Sequence, residues 1–167
     1  MNIITKLDLL GKEVLRRYPY INHGGCCVYA AMIVAALHKH KINAAGIVAS
    51  WAAEELNESG ASIDTVRENI KKNTMDEWNK NGVRFTHIGV EFEYKARTRT
   101  VKKHYDTHGV HPARKELDDA PIYKGRLTLA ELKKLAGIKK GWNDTFDRRQ
   151  IPELRKLVNS FLAVDRK

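Results

Sequence analysis

Three residues far apart in this 167-residue sequence, Cys26, His87 and Asp106, are of the types that together carry out acyl transfer. Cys26 follows Gly24-Gly25 and opens a nearly continuous apolar stretch that runs to His38. A helix that is apolar on all sides belongs in the centre of a domain. A thiol in its first turn would sit among unpaired backbone N–H groups at the positive end of the helix dipole, a setting that favours thiolate, the nucleophilic form. A histidine beside it takes the proton and later returns it to a leaving group, while an aspartate on the other ring nitrogen fixes the tautomer. The backbone N–H of Cys26 and the side-chain amide of Asn22 are the candidate oxyanion donors. This chemistry calls for no cofactor.

The elements that must bring these groups together are legible in the hydrophobic spacing. Residues 2–17 predict an amphipathic helix with Ile3, Leu7, Leu10 and Val14 on one face, ended by Tyr18-Pro19-Tyr20. Asn22 to Gly25 forms a tight connector into the helix that begins at Cys26. A buried strand is expected over 42–50. A helix is expected over 62–80, with Ile63, Val66 and Ile70 inward, and Asn81-Gly82 is a turn signal. Strands follow at 84–94 and about 99–106. Helices near 128–136, capped by Thr128 with Glu131, and over 151–164, with Pro152 in the first turn, complete the chain. Between 109 and 127 the signals are weak, fitting a lid or a surface connection.

The hairpin fixes which strand residues face each other. A four-residue loop at 95–98 pairs Tyr94 with Arg99, Phe92 with Val101 and Ile88 with Tyr105 on the apolar face. The other face then pairs Glu91 with Lys102 and His87 with Asp106. Val90 opposite Lys103 is the one poor match in this register.

Gly24-Gly25-Cys26-Cys27-Val28-Tyr29-Ala30-Ala31 resembles the nucleophile segment of papain-like cysteine peptidases, where small residues precede the cysteine and an aromatic stands three positions after it. His87-Ile88-Gly89-Val90-Glu91-Phe92 and Tyr105-Asp106-Thr107-His108-Gly109 resemble the histidine and aspartate strands of the transglutaminase-like branch, in the same Cys, His, Asp order. The resemblance covers about half the chain, residues 20–50 and 84–110. It implies an α+β, papain-like fold in which a central helix carrying the nucleophile packs on an antiparallel β-sheet. It also implies thioester-forming chemistry on a peptide or isopeptide bond, or transglutaminase or acyltransferase activity if an amine replaces water. It favours Cys26 over Cys27. One departure is that papain's oxyanion glutamine lies six residues before the cysteine, where this chain has Tyr20; Asn22 stands in its place.

Each residue also has a plainer alternative: Cys26 as an inert buried thiol, His87 as a core histidine bound to a carbonyl, Asp106 as a turn former. Cys26 and Cys27 are the only cysteines and are adjacent, which excludes an ordinary disulfide between them and a thiolate zinc framework. His104, Asp106, His108 and His111 are metal-ligand types, but their spacing straddles a strand end and no HExxH-type helix accompanies them. The net charge is +10, and residues 124–167 hold 12 basic and five acidic side chains. This balance favours acidic protein surfaces or nucleic acid as partners, making a non-catalytic basic binding protein the rival class of function. The aromatics do not interleave with the basic residues as a base-stacking platform requires. With 43% hydrophobic residues, no unbroken apolar run of membrane-spanning length and no signal-peptide pattern in Met1–Asp8, the expectation is one cytoplasmic domain over 1–167 that binds no membrane. Its C-terminal helices, over 128–164, are expected to pack on the core.

Overall fold

A computed structural model describes residues 1–50, 63–72, 87–138 and 146–164. The described chain is mixed α+β, with a four-stranded antiparallel sheet and several helices. Helix α1 spans Ile3–Arg17, starting where the Asn2 side chain accepts the Thr5 N–H at 3.0 Å. It buries Leu7, Leu10, Gly11 and Val14 along one stripe. Its last turn carries Arg16 and Arg17, both paired with Glu13.

The connector is more structured than its composition announced. Ile21–Gly25 forms a π-helical turn broken at His23 and Gly24. Gly24 has φ 104°, a left-handed conformation that glycine adopts without steric cost. That kink redirects the chain into α2, Cys26–Lys39, of which ten residues are buried. The segment Ile21–Lys39, 19 residues with mean hydropathy 1.3 in its best window, is long and apolar enough to cross a membrane by length and composition. In this fold 72% of that window is buried in protein.

Strands β1 (Ala44–Ala49), β2 (His87–Lys95), β3 (Thr100–Asp106) and β4 (Gly109–Pro112) pair in that order, every neighbour antiparallel. Ile88, Val90 and Phe92 of β2 and Tyr105 of β3 join the residues of α1 and α2 in the main core. Helix α3, Asp64–Lys72, follows Ile63, which is buried along with Val66 and Ile70 as the spacing requires. The expected helix over 62–80 falls outside the described residues beyond 72, as does the Asn81-Gly82 turn.

The β2–β3 register differs from expectation by two residues. Tyr105 lies opposite Val90 rather than Ile88, and Glu91 opposite His104 rather than Lys102. Tyr94 faces Val101 rather than Arg99, Glu93 faces Lys102, and the loop is 96–99, closed by Ala96 N–H to the Arg99 carbonyl at 2.9 Å. Val90 now meets the Tyr105 ring, while Lys103 moves from opposite Val90 to opposite Phe92. Because strand side chains alternate with period two, a two-residue slip leaves every side chain on its original face. His87 and Asp106 therefore still share a face, but as diagonal neighbours.

The weak-signal region 109–127 holds β4 and a small hairpin of β5 (Glu116–Leu117) and β6 (Ala120–Pro121). Its turn places Asp118 and Asp119 at positive φ. Leu117, Ala120 and Ile122 pack with Ile47 and Ala49 as a second, smaller cluster. Helix α4, Leu129–Gly137, begins with the expected capping box of Thr128 and Glu131. Helix α5, Ile151–Phe161, has Pro152 in its first turn and buries Leu154, Leu157 and Val158. Both C-terminal helices lie against α2, which is thus enclosed between them and the sheet.

Candidate active site

Cys26, His87 and Asp106 converge where the start of α2 meets the sheet. Cys26 is the first residue of α2, His87 the first of β2 and Asp106 the last of β3. All three are buried, at 5%, 1% and 5% exposure. His87 Nε2 lies 3.3 Å from Asp106 Oδ2. The Cys26 thiol bears on the same ring, favouring its charged form. Neither ring nitrogen has an aligned hydrogen-bond partner among the described residues, so these attractions are electrostatic rather than directional.

The electrostatics of the group follow from its burial. Withdrawal from water pushes the His87 ring toward its neutral form. The Asp106 carboxylate and the Cys26 sulfur outweigh that effect and push its pKa up to about 10. Burial likewise pushes Asp106 up, but the His87 ring and the His108 backbone N–H more than compensate and hold it below the usual carboxylate range. That N–H reaches Asp106 Oδ1 at 2.8 Å. Asp106 thus forms the turn into β4 with one oxygen and faces His87 with the other.

Asn22 lines the same small cavity as Cys26, His87 and Asp106. Its Nδ2 donates to Thr107 Oγ1 at 2.9 Å, tying the connector before α2 to the residue after Asp106. The cavity measures only about 10 Å³, at the threshold for a single water. Cys27, one position round the helix, is fully buried in the core. Burial and the adjacent Cys26 push its thiol far above the ordinary range, as suits a structural residue.

Three supports of the site were not foreseen from sequence. Tyr29 and Tyr105 join their hydroxyls at 2.5 Å, and Tyr105 donates onward to the Leu7 carbonyl at 3.1 Å, pinning α2, β3 and α1 together beside Asp106. Thr107 orients Asn22. Gly11 allows α1 to approach the turn, since a Cβ there would lie 2.8 Å from the Thr107 carbonyl oxygen. The spacing of Tyr29 and Tyr105 onto apolar faces was the available signal for the first; nothing local marks the other two.

The neighbouring histidines surround Asp106 and Glu91. His108 Nδ1 and His111 Nε2 each lie 3.6 Å from Asp106 Oδ1. His104 Nε2 is 3.3 Å from Glu91 Oε2, and its Nδ1 accepts the Arg114 N–H at 3.3 Å. Burial holds the His104 ring below the ordinary histidine range. Among the described residues no group of three His, Cys, Asp or Glu side chains is arranged to hold a metal ion. Comparison of the chain with protein-family models, curated proteins and solved structures finds no match in any of the three.

Proposed function

We propose that this chain is a papain-like cysteine hydrolase acting on a peptide or isopeptide bond. The observation that carries this reading is a buried histidine held between a thiol at a helix start and a carboxylate, with the ring pushed toward imidazolium. The packing of α2 on an antiparallel sheet supports the papain-like form. With Asp106 at Nε2, Nδ1 is the nitrogen left to exchange a proton with sulfur.

In this mechanism the thiol proton resides on His87 and Cys26 Sγ attacks the carbonyl carbon. The carbonyl π electrons move onto oxygen, which accepts the Cys26 backbone N–H and the Asn22 Nδ2–H. Collapse breaks the C–N bond, and the departing amine takes the proton from His87. Water then gives a proton to His87 and attacks the thioester, and collapse breaks the C–S bond, releasing a carboxylic acid and restoring the Cys26 thiolate beside the His87 imidazolium. Asp106 keeps the ring oriented and stabilises the imidazolium in both halves.

The test is acylation by p-nitrophenyl acetate, followed by peptide mapping. The reading expects a burst of nitrophenol and an acetyl thioester on Cys26, both lost in Cys26→Ala and kept in Cys27→Ala. Acetyl groups only on lysines, with the same turnover in Cys26→Ala, overturn it.

A further inference from the structure

We propose that the groove across the outer face of the sheet, lined by Glu91, Lys102, Arg114 and Arg126, binds an acidic peptide segment. This deepens the hydrolase reading by naming a substrate class, and rests on that reading for the groove's role in catalysis. The groove has a volume of about 680 Å³, within the range of sites that enclose a ligand. Five cations from three separate stretches converge on it: Lys102 from β3, Arg114 and Lys115 from the β4–β5 connection, and Lys124 and Arg126 from the segment before α4.

Glu91 is the sole acid among the groove's described lining residues, and it is already engaged. Its carboxylate lies 3.5 Å from Lys102, 3.3 Å from His104 and 3.2 Å from Arg126. It therefore orients two of the cations rather than repelling an incoming anion. Arg114, Lys115 and Lys124 have no carboxylate within ion-pair distance among the described residues, so their charge is available.

His104, Arg114 and Lys115 also line an adjoining cavity of about 300 Å³ that reaches Asp106. The turn acids Asp118 and Asp119 border that second cavity. The positive field is thus concentrated at the end away from the triad, and the acidic residues of the peptide bind there, remote from the scissile bond. No Phe, Tyr or Trp is among the described residues lining the large groove, and its one aromatic ring, His104, is buried and engaged by Glu91 and the Arg114 N–H, so the groove offers no open run of rings for stacking bases. This favours a carboxylate-rich peptide over a nucleic acid.

Fluorescence anisotropy with fluorescein-labelled hexaglutamate, hexalysine and hexathymidylate tests the proposal on the full chain. The comparison is between wild type, Arg114→Glu/Lys124→Glu, the milder Arg114→Ala/Lys124→Ala, and Lys12→Glu/Lys134→Glu, which makes the same charge change away from the groove. The expected result is hexaglutamate binding that falls as salt is raised from about 20 to about 300 mM. Affinity should drop at least about tenfold in Arg114→Glu/Lys124→Glu, less in the alanine pair, and stay near wild type in the control. Equal losses in groove and control variants, or hexathymidylate binding tighter than hexaglutamate with the same dependence on Arg114 and Lys124, overturn the proposal. Acetylation of Cys26 in the same samples separates the two readings. Groove-dependent hexaglutamate binding without Cys26 acetylation removes the hydrolase reading alone. Cys26 acetylation without hexaglutamate binding removes the groove alone.

Discussion

Asp106→Asn isolates the electrostatic link on which the proposed chemistry depends. Asparagine keeps an oxygen for the His108 N–H, so the turn into β4 is preserved while the charge is lost. Two unit charges 3.3 Å apart, with side chains 1% and 4% exposed, attract by roughly 5 kcal/mol at an effective dielectric near 20, taken as a ceiling. That ceiling corresponds to roughly three to four units on the ring's pKa. Burial opposes the imidazolium and Cys26 shares in holding it, so the expected fall from about 10 is at least about 2 units. The assay is an NMR titration of ¹⁵N-labelled imidazoles from pH 5 to above pH 10, with His87 assigned by comparison with His87→Gln. A His87 midpoint in Asp106→Asn within about half a unit of wild type refutes the argument that this carboxylate governs the ring.

Linkage gives a second outcome. The folded His87 is raised above its ordinary 6.5, so its contribution to stability is complete below that pH and is lost as pH rises toward about 10. Asp106 is depressed below 3.8, so its contribution is present above that pH and is lost as pH falls through its folded pKa. Urea unfolding should accordingly show the pair's stabilisation greatest between about pH 4 and 6.5, and Asp106→Asn should flatten the decline on the alkaline side. Tyr105→Phe removes the donor to the Leu7 carbonyl and the partner of Tyr29, and should cost about 1–3 kcal/mol in the same assay. Gly11→Ala drives a methyl against the Thr107 carbonyl and should cost about 1–3 kcal/mol. It should also slow Cys26 acylation, because Thr107 holds Asn22; unchanged acylation would mean that Asn22 does not need this anchor.

Long periodic segments were readable in the sequence because burial imposes their spacing. The stripe of Leu7, Leu10 and Val14, the all-apolar α2 and the Thr128–Glu131 box each appear where side-chain pattern alone places them. The nearness of His87 and Asp106 was readable for a subtler reason. Alternation fixes the face of a strand residue even when the register is wrong, so His87 and Asp106 stayed together through a two-residue slip. A loop at 95–98 forces Phe92 onto Val101 and Ile88 onto Tyr105, whereas the loop at 96–99 sets Val90 against Tyr105 and Phe92 against Lys103, and nothing in residues 95–99 marks which loop forms. The region 109–127 was opaque because its strands β5 and β6 are two residues each, too short for a period. The Asp118-Asp119 turn also lacks the glycine that usually marks a hairpin. The roles of Gly11 and Thr107 depend on contact between α1 and a turn about 95 residues later, which no local pattern encodes.

Limiting iodoacetamide at neutral pH, read by peptide mapping, tests the site most directly. Cys26 should be alkylated well before Cys27, and this preference should collapse in His87→Ala while the fold, followed by circular dichroism, is retained. Equal slow alkylation of both thiols in the wild type, or a Cys26 rate indifferent to His87, contradicts it.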